Sequence, residues 1–211
     1  MPPSISGRGA LIVIEGADRV GKTTRAAKLV SSLTDEGIPV QALKFPERST
    51  SIGSVIDQYL RGDIRLDDHA IHLLFSTNRW ELFSEMKSLL ESGISLVVDR
   101  YAYSGVAYSA AKPSLSLEWC KHSDCGLIAA DCVLYITLSD EMTKTRPGYG
   151  DEIYEQSDFQ TKVKKNYELL KDSSWVQLDG NVPPDELDSL ILDISKKTIE
   201  LSKKKALSFL W

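Results

Sequence analysis

The chain lacks the features that define several other classes of protein. Its three cysteines fit no zinc-binding spacing, and an odd number of cysteines without a secretory signal argues against a disulfide framework. No apolar run approaches the roughly 20 residues of a membrane-spanning helix. The first eight residues do not show the basic and then apolar pattern of a signal peptide. The sequence therefore predicts plain thiols and a reducing intracellular location: the cytoplasm, or alternatively the nucleus or mitochondrion.

A basic excess is also missing. The chain of 211 residues carries 25 Lys and Arg against 30 Asp and Glu, a formal net charge of −5. Broad binding to nucleic acid or to an anionic membrane needs a basic surface, so neither partner is expected. We find no internal repeat, low-complexity tract or long linker, and the length suits one or at most two domains. The sequence therefore predicts a single domain over residues 1–211.

Short β-branched runs alternate with amphipathic segments along the chain. The runs predict strands at 10–14, 40–45, 94–98, 132–136 and 175–178. The segments between them predict helices at 21–36, 52–60, 67–91 and 115–122, one ending near 171, and one beginning at 185. Strands separated by helices imply right-handed crossovers and parallel pairing. The fold class is therefore α/β, with a mostly parallel sheet of about five strands flanked by helices.

A phosphate-binding loop follows the first strand. Residues 16–23 match the pattern G-x-x-x-x-G-K-S/T in full, between a buried strand and a helix. Lys22 is expected to reach the outer phosphates of ATP and the Thr23 hydroxyl to complete a Mg²⁺ shell. A chance glycine-rich turn is the alternative, which the complete match disfavours. An N-K-x-D motif is missing, which argues against a GTPase switch. The predicted ATP-binding residues of this loop are Gly16, Arg19, Val20, Gly21, Lys22, Thr23 and Thr24.

Two charged residues, Asp18 and Arg19, lie inside this loop. An arginine there can place its guanidinium against the transferring phosphoryl group, as an arginine finger does. The alternative is a surface ion pair between the two neighbours.

Charged residues also follow the second and third strands, where doubly wound sheets bind ligands. Arg48 is expected to hold a phosphate and Phe45 to form an apolar wall, although Phe45–Arg48 alone also suits an ordinary loop. Asp99 is expected to orient the Mg²⁺ water shell or an acceptor oxygen. Arg100 is expected to bridge the donor and acceptor phosphates. With Arg19 and Lys22, Asp99 and Arg100 form the expected catalytic set.

The helix predicted at 67–91 carries polar residues on its core-facing side. Asn78 and Arg79 lie on the same apolar stripe as Phe75. A core-facing arginine is costly unless it is paired or faces a polar ligand. The stripe therefore predicts a pocket in which Phe75 stacks on a planar ring and Arg79 donates to an acceptor on it. A buried ion pair between Arg79 and a core carboxylate is the alternative. Some of the tyrosines at 101, 103 and 108 are expected to line the pocket and others to be core aromatics.

The polar segment 140–155 contains two glycines and suggests a mobile lid. Arg146 would close over the donor nucleotide, and closure would exclude water from the reaction. The competing interpretation is an exposed turn.

Four blocks in this order resemble the thymidylate kinases of the eukaryotic type: Glu15–Thr24, Phe45–Thr50, His72–Trp80 and Val97–Tyr101. The block Ser104–Tyr108 is similar as well, and the resemblance extends from Gly9 to about Lys171. It implies a P-loop kinase fold and transfer of the γ-phosphoryl group of MgATP to dTMP, giving dTDP and ADP for dTTP biosynthesis. It also implies a homodimer. The alternatives are a kinase of broader specificity for nucleotides or nucleosides, and a non-catalytic ATP-binding module.

The resemblance also implies residue roles. Asp18 would contact the deoxyribose 3′-hydroxyl, and Tyr154 would crowd the 2′ position. Arg48 and Arg100 would hold the acceptor phosphate. Arg19 matches the branch of the family whose catalytic arginine lies in the phosphate loop. The remaining residues expected to bind dTMP are Phe45, Phe75 on the thymine ring, Arg79 at its carbonyl, Ser104, Gly105 and Tyr108. The chain departs from the family pattern at Pro147 and Ile153 in the lid segment and at Tyr108, where many relatives have phenylalanine.

Overall fold

A five-stranded parallel sheet forms the centre of the computed structural model, which describes residues 7–18, 20–139 and 157–211. Its strands are β1 (Leu11–Glu15), β2 (Val40–Lys44), β3 (Ser95–Asp99), β4 (Cys132–Thr137) and β5 (Trp175–Asp179). They lie in the order β2-β3-β1-β4-β5, and every neighbouring pair is parallel. The predicted fold class is confirmed.

Eight helices connect or flank these strands within the described ranges. They are α1 (Lys22–Asp35), α2 (Ser51–Leu60), α3 (Asp68–Glu81), α4 (Phe83–Glu91), α5 (Ala102–Ser109), α6 (Leu117–His122), α7 (Ser157–Leu170) and α8 (Pro184–Ser202). None of them is long and apolar enough to cross a membrane.

Side chains alternate between the two faces of the sheet, and each face has its own core. Ile12 and Ile14 of β1 belong to a buried cluster with Leu29 of α1 and Ile191 of α8. Leu11 and Val13 point to the opposite face, into a cluster with residues of α4, α5, α6 and α7. A strand buried on both faces consists of consecutive apolar residues, which explains why β1 is apolar throughout. The result is a three-layer arrangement of helices, sheet and helices.

The prediction of one helix over 67–91 is wrong at its centre. The backbone departs from the helix at Leu82, whose N–H bonds to the Arg79 carbonyl at 3.2 Å in a 3₁₀-type contact, and α4 begins at Phe83. The apolar stripe continues through this break, with Met86 and Leu90 buried in α4. Hydrophobic periodicity therefore did not distinguish one long helix from two that bury the same side.

Helix α5 was missed by the sequence analysis. Six of its eight residues are buried, on all sides of the helix. An amphipathic pattern requires an exposed face, so the sequence of α5 contains no such signal.

The three cysteines are free thiols, with Cys120 and Cys132 buried and Cys125 exposed. In the part of the chain that is described, no group of three or more His, Cys, Asp or Glu side chains is arranged to hold a metal.

His72 is a fully buried, hydrogen-bonded residue of α3. Its Nε2 lies 2.9 Å from the Cys120 carbonyl oxygen, which can only accept, so Nε2 carries the proton. Its Nδ1 then accepts from the Ser109 hydroxyl at 2.8 Å. Burial, together with the nearby Arg79 charge, lowers the pKa of His72 to about 4. The folded protein therefore holds this ring neutral.

We expect His72 to make stability depend on pH. Between its ordinary pKa of 6.5 and its folded pKa of about 4, the unfolded chain binds a proton that the folded chain does not. The neutral His72 ring therefore makes its full contribution to the free energy of unfolding above pH 6.5, and this contribution is lost as the pH falls toward 4. His72→Gln should lower the free energy of unfolding at pH 7. The difference in this free energy between the unchanged protein and the variant should be smaller by about 2–3 kcal/mol at pH 4.5, because the unchanged protein has then lost the contribution of His72. Urea unfolding at both pH values measures this difference. A deficit that stays constant with pH would contradict the neutral assignment.

Candidate active site

The carboxyl ends of three neighbouring strands meet at one edge of the sheet. Strand β3 lies between β1 and β2, so the phosphate loop after β1 is close to residues 45–48 after β2 and residues 99–101 after β3. A cavity of about 500 Å³ opens at this edge. Fourteen residues that the sequence analysis assigned to sites line it: Asp18, Gly21, Lys22, Thr23, Thr24, Phe45, Arg48, Phe75, Arg79, Asp99, Arg100, Ser104, Gly105 and Tyr108.

Other predicted site residues lie elsewhere. Gly16 and Val20 belong to the phosphate loop but do not line the cavity. Arg19, Arg146, Tyr154 and the lid segment 140–155 lie outside the described residues. Of the three tyrosines, Tyr101 and Tyr108 line the cavity, whereas Tyr103 is buried in the core. Sequence reasoning missed four further lining residues: Lys44, Pro46, Leu60 and Ser109.

The phosphate loop turns at glycines whose backbone other residues adopt with difficulty. Gly21, at a left-handed φ of 93°, directly precedes α1. A Cβ atom on Gly16 would lie 2.4 Å from the Ile136 carbonyl oxygen. The loop therefore places the N-terminus of α1, whose first N–H groups have no partner within the helix, toward the cavity.

Lys22 is buried behind this loop. Its Nζ donates to the Ala17 carbonyl at 2.6 Å. Burial, reinforced by the Arg100 charge, lowers the pKa of Lys22 to about 7, although Asp18 and other carboxylates oppose the shift. An anionic ligand would offset the same desolvation by stabilising the charged amine.

Asp99 and Thr23 make direct contact at the edge of the cavity. The Thr23 hydroxyl donates to Asp99 Oδ2 at 2.5 Å. The other oxygen, Oδ1, is buried and accepts no hydrogen bond in the described ranges. Lys44 Nζ lies 3.8 Å from Asp99 Oδ2 and 3.5 Å from the Thr23 hydroxyl. The sequence signal for Lys44 was its place directly before Phe45, near the carboxyl end of the predicted strand.

Arg100 occupies an unusual backbone conformation beside the phosphate loop. Its φ of 67° is in the left-handed region, which non-glycine residues seldom adopt and which is associated with functional sites. Its guanidinium forms an ion pair with Asp18, donates to Ser104 Oγ at 3.2 Å and lies 5.1 Å above the centre of the Tyr108 ring. The sequence predicts each of these residues at the site but not their mutual contacts.

Asp18 receives hydrogen bonds from two further side chains. Tyr108 donates its hydroxyl at 2.8 Å, and Gln160 of α7 donates Nε2 at 2.9 Å. Burial alone would raise the pKa of Asp18, but the charges of Arg100 and Lys22 and these hydrogen bonds hold it below its ordinary value. Asp18 is therefore ionised at neutral pH, and the hydroxyl of Tyr108 is bonded to it.

Beneath the cavity, Glu15 connects β1 to α5 and α7. This fully buried carboxylate accepts from the backbone N–H groups of Tyr101 and Ser104, from Ser104 Oγ at 2.5 Å and from the Tyr167 hydroxyl at 2.9 Å. Burial raises the pKa of Glu15, although its hydrogen bonds oppose the shift. Glu15 was not among the predicted site residues, although a carboxylate that ends a buried strand is a detectable sequence signal.

Both interpretations of Arg79 prove relevant. It lines the cavity, and it also forms a buried ion pair with Asp124, at 2.7 Å between Nη2 and Oδ2. The buried ion pair between Arg79 and a core carboxylate, given above as the alternative, is therefore present. Its carboxylate is Asp124, which was not identified from the sequence. Phe75, one turn earlier in α3, is half-buried and lines the same cavity.

Arg48 and its loop are held by two helices. Arg48 Nη1 forms an ion pair with Asp57 Oδ1 of α2 at 2.7 Å. Asn78 of α3 accepts from the Glu47 N–H at 2.8 Å and donates to the Glu47 carbonyl at 3.1 Å. Asn78, seen in the sequence only as a polar residue on a buried stripe, thus fixes the backbone next to Arg48.

An α/β sheet of this order with a phosphate loop after its central strand is the fold of the P-loop kinases. Comparison with known proteins narrows this class. A family model described as thymidylate kinase matches residues 14–191. The chain belongs to the thymidylate kinase family, as the resemblance of its motifs predicted.

Several relatives are similar over nearly the whole chain. Thymidylate kinase of Arabidopsis thaliana is 48% identical over 209 residues, covering 99% of this chain and 79% of that protein. Thymidylate kinases of Danio rerio and Homo sapiens are 45% and 42% identical, each covering 97% of this chain and 98% of the relative. The solved structure of thymidylate kinase from Candida albicans is 34% identical in sequence and has a TM-score of 0.86. The match covers 98% of this chain and 100% of the Candida albicans chain.

We expect Gly105→Ala to destabilise the protein although it lies within helix α5. Alanine normally favours a helix by about 1 kcal/mol over glycine. Here the added Cβ would lie 2.8 Å from Arg79 Nη2 and 2.9 Å from Nη1. The guanidinium cannot move away without disturbing its pair with Asp124, so we expect a net loss of about 1–3 kcal/mol in the free energy of unfolding. Urea denaturation measures this change, and a variant as stable as the unchanged protein would contradict it.

Proposed function

We propose that this cavity binds ATP on the phosphate-loop side and dTMP on the side of α3 and α5. The activity follows from family membership: ATP-dependent phosphorylation of dTMP, giving dTDP and ADP for dTTP biosynthesis. The observation that carries the residue-level proposal is that one cavity joins a phosphate loop to a second set of arginine and aromatic side chains.

The acceptor phosphate is assigned to Arg48 and Arg100. Both reach the cavity from the ends of adjacent strands, and each holds a carboxylate in this structure, Asp57 and Asp18 respectively. A phosphate presents the same kind of anionic oxygens with more charge, so it competes for or shares these guanidinium groups. Arg100, which contacts Asp18 and the Gly16 carbonyl of the phosphate loop, is placed to offset repulsion between the two substrates.

The acceptor nucleoside is assigned to the other lining residues. Phe75 supplies a face for the thymine ring, Arg79 donates to a ring carbonyl, and ionised Asp18 accepts from the 3′-hydroxyl of the sugar. The walls are completed by Phe45, Ser104, Gly105 and Tyr108. The sugar-crowding role of Tyr154 and the donor contact of Arg146 remain predictions from the sequence.

The reaction moves one phosphoryl group between two anions. An acceptor phosphate oxygen bonds to the γ-phosphorus of ATP, the bond to the β–γ bridging oxygen breaks, and its electron pair leaves with ADP. Charge on the transferring group is stabilised by Lys22 and Arg100, and we assign Arg19 to the same task. Positioning and electrostatics therefore account for catalysis, without a covalent enzyme intermediate.

Mg²⁺ fits beside Thr23 and Asp99. Hydroxyl and carboxylate oxygens are ligands that Mg²⁺ prefers, and the buried Oδ1 of Asp99 accepts no hydrogen bond within the described ranges. We propose that the Thr23 hydroxyl binds the ion and that Asp99 orients its water. The bound ion would neutralise charge on the ATP phosphates.

The proposal extends to assembly and location. We propose a homodimer, supported by exposed apolar side chains on α3, Leu73 at 46% and Trp80 at 38% exposure. An intracellular, reducing location, the cytoplasm first, is supported by the three free thiols. A single domain over 1–211 with a lid at 140–155 completes the proposal.

An acceptor comparison tests the function directly. ADP release is measured with MgATP and each of dTMP, dUMP, dCMP, dGMP, AMP, UMP and thymidine. We expect strong preference for dTMP and no turnover of thymidine, because Arg48 and Arg100 then face no anion. Turnover of several acceptors would show a broader kinase, and ATP binding without any turnover would indicate a non-catalytic module.

A matched pair of arginine variants tests the acceptor-phosphate site. Both Arg48 and Arg61 bind Asp57, with Arg61 Nη2 at 3.1 Å from Oδ2, but only Arg48 lines the cavity. Loss of charge-assisted hydrogen bonds worth about 1.5–3 kcal/mol should raise the KM for dTMP about 10- to 100-fold in Arg48→Ala. Arg61→Ala should leave the KM for dTMP unchanged. Equal effects of the two variants would remove Arg48 from the phosphate site.

A further inference from the structure

We propose that Asp124 is a positioning residue for recognition of the acceptor base, acting through Arg79. The inference deepens the proposed function and rests on it. Asp124 Oδ1 accepts from Arg79 Nε at 3.0 Å and from Nη2 at 2.9 Å, and Oδ2 accepts from Nη2 at 2.7 Å. The two side chains are 0% and 3% exposed, respectively. Such a two-point pair holds the plane and direction of the guanidinium.

The pair leaves one nitrogen of Arg79 for a ligand. Nη1 makes no hydrogen bond to any described residue, while Arg79 as a whole lines the cavity. Gly105 of α5 packs against the guanidinium, and because it has no side chain it leaves free the space 2.9 Å from Nη1 that a Cβ would fill. The geometry points to Nη1 as a donor of fixed direction.

Pairing also determines what Arg79 can recognise. With Asp124 beside it, the guanidinium presents little net charge, in contrast to Arg48 and Arg100 on the phosphate side. A neutral ring carbonyl is a suitable partner for such a donor, whereas an exocyclic amino group would bring two donors together and leave both unsatisfied. Asp124 thus favours a pyrimidine with a carbonyl at this position over one with an amino group.

Helix α3 itself fixes the turn that carries Asp124. Ser76 Oγ lies 2.8 Å from Asp124 Oδ1 and 2.8 Å from the Ser123 carbonyl oxygen, so its single proton is shared between these two acceptors. Trp80 Nε1 donates to the same Ser123 carbonyl at 2.8 Å. On the far side, Leu210 N donates to the Leu127 carbonyl at 2.8 Å. The carboxylate is therefore held at both ends of its turn, as a positioning residue requires.

The test is Asp124→Asn, assayed with ATP, dTMP and dCMP. We expect the KM for dTMP to rise at least about 10-fold and the kcat/KM preference for dTMP over dCMP to fall by about 10-fold, with the KM for ATP unchanged. The matched control is Asp131→Asn. It alters an equivalent two-point pair, in which Asp131 accepts from Arg8 Nη1 at 2.8 Å and from Arg8 Nη2 at 2.7 Å, and which does not line the cavity. Asp131→Asn should lower stability without changing the preference.

Other outcomes would overturn the inference. A fall in kcat that is equal for both acceptors, with KM values and preference unchanged, would show a purely structural role. If Asp124→Asn does not fold, Ser76→Ala removes one hydrogen bond to the carboxylate, and an unchanged preference in that variant is decisive against the proposal.

A spectroscopic readout separates this inference from the proposed function. The measured quantity is the rate at which the Arg79 Nε–H exchanges its hydrogen with solvent, and the signal is assigned by its loss in Arg79→Lys. Exchange should be slow in the unchanged protein and faster in Asp124→Asn. Equal rates would overturn the proposal that Asp124 positions Arg79. Failure of the unchanged protein to phosphorylate dTMP would instead overturn the proposed function, and the recognition step with it.

Discussion

The parallel pairing of β3 with both β1 and β2 is the constraint on which the site depends. In the sheet register, Asp99 at the end of β3 is paired with Ile14 on one side and Lys44 on the other. Three strands therefore end level with one another, and the segments that follow them leave the sheet at the same edge. Because those segments are the phosphate loop, residues 45–48 and residues 100–101, the hydrogen bonds of the sheet assemble the cavity.

Three arginines of the cavity are each paired with a carboxylate: Arg48 with Asp57, Arg79 with Asp124 and Arg100 with Asp18. Removing a charge from water is costly unless a partner is present. The pairs differ in burial, since the Arg48 side chain is 44% exposed and that of Arg79 only 3%. An exposed pair can exchange its carboxylate for a phosphate at little cost, whereas the buried pair is better suited to remain intact and hold a donor in place.

Helix α3 shows how one face can serve both stability and recognition. His72 binds the Cys120 carbonyl of α6, and Ser76 and Arg79 bind Asp124 in the turn that follows α6. Asn78 binds the loop beside Arg48. The two interpretations of a core-facing arginine, ligand contact and ion pair, therefore do not exclude each other. The ion pair supplies the rigidity that a ligand contact needs.

Local signals in the sequence determined the fold class, the phosphate loop and the strand ends that carry Arg48 and Arg100, because strand burial and loop geometry depend on residues adjacent in the chain. Tertiary structure alone decided that Asp124 pairs with Arg79, 45 residues away, that Asp18 pairs with Arg100, and that α3 ends before Leu82. It also decided the left-handed backbone of Arg100 and the all-round burial of α5. These features arise from contacts between elements that the sheet brings together. Periodicity and spacing along the chain do not indicate which residues distant in sequence come into contact.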